Sequence, residues 1–412
     1  MKCNFNYLLL LFIGLQLYSC QESEPKQLLE PGSKPSFLLI IADDIEPGAL
    51  GCYGNTKVST PTLDSWAENG WRFNNFYVTS PICSPSRASI LTGRLPQEVG
   101  VVDILRPSRA DQGEGLSNTY PTFAQLLQSA GYETALIGKW HLGYQHEQHP
   151  LNKGFDQFKG FLSGHIDYIS HVDASGQYGL MNGVDNWNIP SGEHLTKILT
   201  DEAISFLASP HAQYPYCLVL SYATPHRPYL LPGEQAIFPQ QKAKRDRSEQ
   251  RYIQMIELLD QQLGRIQEVV DSNTLIFFLG DNGNAILNQI NGIPQKGKGT
   301  LYEGGLKVPA IAYRKGHVGT DTINAPYSSM DLYPTLLSLA EVEDAYSGTG
   351  ELIWDASGTL HTPQRAVLSW NFQQAKAIRQ GNWKAIFIPA DHDTLIERYF
   401  FGGEFTPHQE LL

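Results

Sequence analysis

Two stretches of this chain are too uniformly apolar to lie at a surface, and each runs into acid. Phe37-Leu38-Leu39-Ile40-Ile41-Ala42 leads to Asp43-Asp44, and Thr274-Leu275-Ile276-Phe277-Phe278-Leu279 leads through Gly280 to Asp281-Asn282-Gly283. A strand with one wet face alternates polar and apolar residues, whereas a strand covered on both faces does not. The pattern predicts a parallel sheet between helices, and ligand sites of open α/β sheets collect at the carboxyl ends of such strands. Side by side, these two ends would surround one oxygen-ligated cation with Asp43, Asp44, Asp281 and Asn282. Taken singly, Asp-Asp and Asp-Asn-Gly are also ordinary solvated turns.

The remaining pattern agrees with an α/β unit. Tyr216–Ser221 is a further apolar strand. Thr60-Pro61 opens a helix as cap and first-turn proline, with Leu63, Trp66 and Ala67 on its apolar face and Gly70 at its end. Residues 71–79 read as one alternating, aromatic-rich strand. Phe123, Leu126, Leu127 and Ala130 recur at helical spacing up to Gly131, and Tyr252, Ile256 and Leu259 mark a long amphipathic helix. With 412 residues, 42% hydrophobic and 17% charged, the chain can bury a large core. Beyond about residue 345 its character changes, and short strands at 365–370, 375–379 and 383–389 predict a small antiparallel sheet.

A net charge of −12 argues against nucleic acid and against a broad polyanion-binding face, so attraction for an anion has to be local. At the N-terminus Lys2 precedes an apolar run, residues 7–17, too short to span a bilayer. It ends in Leu17-Tyr18-Ser19-Cys20, which resembles a bacterial lipoprotein cleavage box. The expected division is a signal at 1–19, a tether at 20–35, a catalytic domain at 36–344 and a small subdomain at 345–412. An exported lipoprotein, periplasmic or at the cell surface and touching the membrane only through its lipid, is expected. A plain secretory signal is the rival, and both remove the chain from the cytosol. Of five cysteines, Cys3 and Cys20 fall in the signal region, and Cys52 and Cys217 are expected as buried thiols.

Cys83 stands apart. In Pro81-Ile82-Cys83-Ser84-Pro85-Ser86-Arg87-Ala88-Ser89-Ile90-Leu91-Thr92-Gly93 a loop delivers the cysteine to a helix N-terminus, where unpaired N–H groups favour an anion, with Arg87 one turn further on. Gly138-Lys139-Trp140-His141-Leu142-Gly143 ends a short strand. If extended, it points Lys139 and His141 the same way. In Ala223-Thr224-Pro225-His226-Arg227-Pro228, prolines on both sides restrict the loop that carries His226. Lys296-Gly297-Lys298-Gly299-Thr300-Leu301 lacks the spacing of a nucleotide phosphate loop. Residues 144–192 read as loop-rich, and His165, Asp167, Tyr168, His171 and Trp187 are candidate sugar contacts, packing and turn roles being the plain alternative.

Residues 81–93 resemble, throughout their length, the signature of the formylglycine-dependent sulfatases, and residues 138–143 resemble that family's second signature. The His226 loop, the Lys298 segment and the set Asp43, Asp44, Asp281, Asn282 match further motifs of the family. Arg379-Gln380-Gly381-Asn382-Trp383-Lys384 resembles its C-terminal hairpin. The resemblance implies an alkaline-phosphatase-like α/β fold, a large mixed sheet covered by helices on both faces, plus a small C-terminal antiparallel sheet. It implies sulfate-ester hydrolysis through a formylglycine (3-oxoalanine) made from Cys83 by a formylglycine-generating or anaerobic sulfatase-maturating enzyme. One Ca2+ would lie among Asp43, Asp44, Asp281, Asn282 and residue 83. The register before Gly-Thr-Leu favours Lys298 over Lys296 as the sulfate-contacting lysine.

On that basis Arg87, Lys139 and His141 would orient the hydrated aldehyde, Asp281 would help to take its proton, and His226 with Lys298 would donate to the leaving oxygen. Arg87, Lys139 and Lys298 match Asp43, Asp44 and Asp281 one for one, so a divalent ion is needed before the site attracts sulfate. The address suggests a sulfated carbohydrate as substrate. A phosphodiester or phosphonate-ester hydrolase of the same superfamily is the nearer rival, and a catalytically inactive sulfated-glycan-binding protein the more distant one. One departure stands out: the family's Leu-Tyr-Asp-Leu and Asp-Pro-x-Glu segments are missing from residues 397–412.

Overall fold

The computed structural model describes residues 34–173, 175–209, 215–237, 248–284, 297–316, 321–343, 348–355, 357, 359–371 and 375–387. The expected signal, residues 20–33 of the tether, Lys296 and the segment from 388 onward lie outside the described residues.

Among the described residues, ten strands form the main sheet, in the order Asp321–Ile323, Trp71–Phe73, Ala310–Arg314, Thr274–Gly280, Ser36–Ala42, Tyr216–Ser221, Glu133–Lys139, Gln157–Phe161, Met181–Asn182 and Asp185–Asn186. The five central strands from Thr274–Gly280 to Gln157–Phe161 run parallel. Ala310–Arg314 joins Thr274–Gly280 antiparallel, so the sheet is mixed. Every residue of Ser36–Ala42 and Thr274–Gly280 is buried, as strands without a polar side must be. Phe37, Leu39 and Ile41 pack in one core with the helices Cys83–Thr92, Phe123–Ser129 and Leu332–Leu339. Leu38, Ile40 and Ala42 pack in a second core with Pro61–Glu68, Leu195–Leu207 and Glu249–Val269. Helices therefore cover both faces.

A small antiparallel sheet of Val367–Asn371, Ala375–Gln380 and Trp383–Phe387 follows, as expected. Glu303 anchors it: its carboxylate accepts from Arg379 and Lys384 at 2.9 and 2.8 Å and from the Tyr77 hydroxyl at 2.9 Å.

Three local expectations are corrected. Residues 71–79 break into Trp71–Phe73 and Phe76–Tyr77, which belong to different sheets. The break falls at Asn74-Asn75, whose backbone turns to pair with Ile323 and Tyr327. Thr60 does not cap its helix, because its hydroxyl is engaged by Gly51 and Asp64. The orphan N–H groups of Thr62 and Leu63 go instead to the buried Asp260 carboxylate of the neighbouring long helix. Residues 144–192 hold a strand, Gln157–Phe161, and a short hairpin. Cys217 is a buried free thiol and Cys52 a half-buried one. No helix among the described residues is long and apolar enough to cross a membrane.

Candidate active site

The register pairs Ala42 with Gly280, so the two acid-bearing strand ends leave the sheet as neighbours. Close approach requires glycine at 280, where a Cβ would stand 2.8 Å from Ile45 Cγ2 and 2.9 Å from the Ile45 carbonyl oxygen. Asp44, in a left-handed turn with φ of 68°, donates its N–H to Asp281 Oδ1 at 3.1 Å. Asn282 Nδ2 donates to Asp44 Oδ1 at 2.7 Å. Asp43, Asp44, Asp281 and Asn282 are all buried. Burial, and next the Asp43 charge, push the Asp281 carboxyl above its ordinary range, against the pull of Arg87 and the lysines.

Cys83 is the first residue of the helix Cys83–Thr92, as the proline two places on suggested. Its Sγ accepts from Lys298 Nζ at 3.1 Å and donates to Asp43 Oδ1 at 3.7 Å. Burial pushes the thiol up to about 11 although Lys139 and Lys298 draw it down. A protonated, enclosed thiol is a poor nucleophile. Arg87, one turn along, places Nε and Nη2 each 2.9 Å from Asp281 Oδ2, while Nη1 reaches Ser221 Oγ at 2.5 Å. Lys139 Nζ lies 2.5 Å from Asp43 Oδ2. Lys298 also pairs with Asp44. Burial opposes the Lys298 charge, but Asp44, Cys83 and Asp43 raise its pKa.

The expected extended run from Lys139 to His141 is not found. The strand ends at Lys139, and His141 turns left-handed with φ of 59°. Its Nε2 lies 2.9 Å from the Leu105 carbonyl. A carbonyl only accepts, so Nε2 carries the hydrogen. Nδ1 is buried with no partner among the described residues. Burial, then Lys139 and Arg87, hold this imidazole well below its ordinary pKa, so the ring is neutral and Nδ1 is an acceptor. His226 reads similarly: Nδ1 is 2.6 Å from the Arg227 carbonyl, and Nε2 is 3.7 Å from Asp44 Oδ2. Burial and the two lysines push its pKa well down, leaving Nε2 without a proton to give.

The structure separates the five sugar-contact candidates. His165 belongs to the site, its ring centroid 5.8 Å from that of His226. Asp167, Tyr168 and His171 are buried and bonded to backbone, which corrects their expected role. Asp167 accepts from the N–H groups of Ile169, Ser170 and Ile237 at 2.9, 2.9 and 2.7 Å. His171 Nε2 lies 2.9 Å from the Glu193 carbonyl. The Tyr168 hydroxyl stands 2.8 Å from both the Ala223 and His226 carbonyl oxygens, so it holds the His226 loop from behind. Trp187 packs under Lys159. Sequence reasoning missed Ser221, whose only signal was its place at the end of a buried strand, and the Leu105 carbonyl, which carries none.

The donor set fits a hard divalent cation. Ligand atoms of Asp43, Cys83 and Asp281 lie within 4.8 Å of one another, as do those of Asp43, Asp44 and His226. Asn282 Oδ1 is buried with no partner among the described residues. Carboxylate and amide oxygens suit Ca2+ or Mg2+.

The profile of the family described as Sulfatase matches residues 35–342. The chain belongs to the sulfatase family. It is 32% identical to N-acetylgalactosamine-6-sulfatase of Rattus norvegicus over 74% of its own length and 62% of the relative's, so it spans under two thirds of that protein. To arylsulfatase A of Homo sapiens it is 32% identical, covering 86% of this chain and 75% of the relative. The structure of Ps i-CgsB in complex with k-i-k-neocarrahexaose superposes with a TM-score of 0.75 at 29% identity, covering 87% of this chain and 85% of that one. The family match ends before the small antiparallel sheet begins.

Proposed function

We propose that this chain hydrolyses sulfate esters of a carbohydrate, with Cys83 converted to formylglycine and one Ca2+ held by Asp43, Asp44, Asp281 and Asn282. The observation that carries the reading is the convergence of Arg87, Lys139, Lys298 and three carboxylates on a cysteine whose own thiol is not activated. Converted, residue 83 would supply an oxygen nucleophile that can release sulfate and reform its carbonyl, and the cation would supply the positive charge that the balanced side chains lack.

The chain's own residues divide the remaining work. Arg87 holds Asp281 by an Nε hydrogen bond, with Nη2 at ion-pair distance from the same oxygen, and reaches Ser221 through Nη1. Neutral His141 offers Nδ1 as proton acceptor, its ring held by Leu105. Lys298, charged, is the donor to the leaving oxygen, and His226, neutral and held by the Arg227 carbonyl, orients beside it. His165 borders the site as a sugar contact. The carbohydrate class rests on a relative named for N-acetylgalactosamine 6-sulfate and on a neighbour in complex with a neocarrahexaose. Conversion of Cys83 calls for a formylglycine-generating or anaerobic sulfatase-maturating enzyme as partner. An exported, lipid-anchored chain fits polysaccharide scavenging.

The test is a screen of converted protein against sulfated mono- and oligosaccharides, with aryl sulfate and aryl phosphate in parallel. Mass analysis of the peptide spanning residues 71–94 shows first whether sulfur has been exchanged for oxygen. Faster cleavage of phosphate than of sulfate moves the chain to the phosphodiester or phosphonate reading. Glycan binding without turnover by fully converted protein makes it a binding protein.

A further inference from the structure

Lys298 Nζ donates to the Cys83 sulfur at 3.1 Å, and the loop that carries it is held in part from outside. Gly299 sits at φ of +88°, and among the described residues the loop is braced locally by the Lys298 N–H on the Asn284 carbonyl at 2.7 Å and by the Thr300 hydroxyl on the Gly297 carbonyl at 2.8 Å. A further restraint comes from a distant strand. Asn371, at the end of Val367–Asn371 and 1% exposed, donates Nδ2 to the Gly299 carbonyl at 2.5 Å. The N–H of Gly299 in turn donates to the Pro81 carbonyl at 3.0 Å, two residues before Cys83. The same strand grips the chain leading to Cys83: Trp370 N–H donates to the Thr79 carbonyl at 2.7 Å, and Ser369 Oγ to the Val78 carbonyl at 3.1 Å.

We propose that Asn371 is a positioning residue for Lys298, through which the C-terminal sheet sets the lysine against residue 83. One amide holds the carbonyl of Gly299, the residue that follows Lys298, and the N–H of the same residue is bonded to the loop that precedes Cys83, so both reacting partners share one frame. Asn371 lies beyond the segment matched to the family. The inference rests on Lys298 acting in catalysis, as proposed above.

The test is a double-mutant cycle on the converted enzyme, with hydrogen exchange beside it. Asn371→Ala should lower kcat/KM about tenfold, the scale of one lost buried hydrogen bond. In a Lys298→Ala background it should change the residual rate less than about twofold, because effects through a shared partner do not add. Equal losses in both backgrounds, or no loss in either, overturn the proposal. Exchange of the Gly299 amide should speed up in Asn371→Ala whether or not the enzyme turns over. Unchanged protection there also overturns it. Should Asn371→Ala fail to fold, Asn371→Ser carries the same comparisons. Absence of turnover by converted wild-type enzyme would count against the sulfatase reading alone, since the exchange arm still decides the clamp.

Discussion

Lys139 and Asp43 meet with Nζ 2.5 Å from Oδ2, and neither side chain has exposed surface. Such a pair is costly to desolvate, and it stands in a site where cations and carboxylates already balance. A divalent ion among the acids would compete with the ammonium groups for the same oxygens and free them for an anion. Calcium should therefore stabilise the fold: at about a hundred times its Kd the gain is about 2.7 kcal/mol, a rise of several degrees in Tm. Calorimetry with and without chelator measures this. Asp43→Asn should abolish the calcium-dependent rise, and an undiminished rise in that variant would remove Asp43 from the ligand set.

Arg87 and Asp281 predict a stability pattern separate from activity. Arg87→Met leaves the buried Asp281 carboxylate without its main partner, a loss of about 3–5 kcal/mol by the usual cost of breaking such a pair. Asp281→Asn in the same chain should recover most of that loss, because the orphaned charge is gone, yet hydrolysis should stay absent. Urea unfolding of the two variants checks the pattern. A single variant as stable as wild type would mean that the pair is not enclosed as seen here.

How much of this was legible beforehand depended on the kind of signal. Ser36–Ala42 and Thr274–Gly280 announced themselves because a strand covered on both faces leaves no polar position to misread. The acids at their ends inherited their neighbourhood from that sheet. Lys139 and Cys83 were legible through motif resemblance and not through periodicity. The misses share a different cause. Asp167, Tyr168 and His171 carry side chains suited to sugars, but their partners are backbone groups of residues 169, 170, 193, 223, 226 and 237, which no local pattern displays. The same holds for Asp260, which caps a helix roughly two hundred residues away in sequence.

Glu303 makes the docking of the C-terminal sheet sensitive to acid. Burial alone would raise its carboxyl, but Lys384 and Arg379 hold it down, from the ordinary 4.5 to about 2. Because the folded pKa lies below the unfolded one, the contribution is whole above pH 4.5 and drains away as pH falls toward 2. Burial of the Lys384 ammonium, which lowers its pKa, offsets part of the gain, so the net is about 1–2 kcal/mol. Glu303→Gln should be less stable than wild type by that amount at pH 7, and the gap should narrow between pH 4.5 and 3. A gap that does not change with pH would assign the loss to packing.

The two groups beside the leaving oxygen can be told apart by leaving-group dependence. If Lys298 gives the proton, Lys298→Ala should slow an aryl sulfate, whose phenolate departs unaided, only by the lost contact with sulfate. It should slow a sugar sulfate, whose alkoxide needs that proton, by about 10²–10⁴-fold more, the range for general acid catalysis. His226→Ala removes a ring whose Nδ1 is bound to the Arg227 carbonyl and whose Nε2 is bare, so its loss should be similar for both substrates. A larger loss for the sugar sulfate in His226→Ala than in Lys298→Ala would return the donor role to the histidine. It would mean that His226 carries a second proton in the substrate complex, overcoming the two lysines that hold its pKa down here.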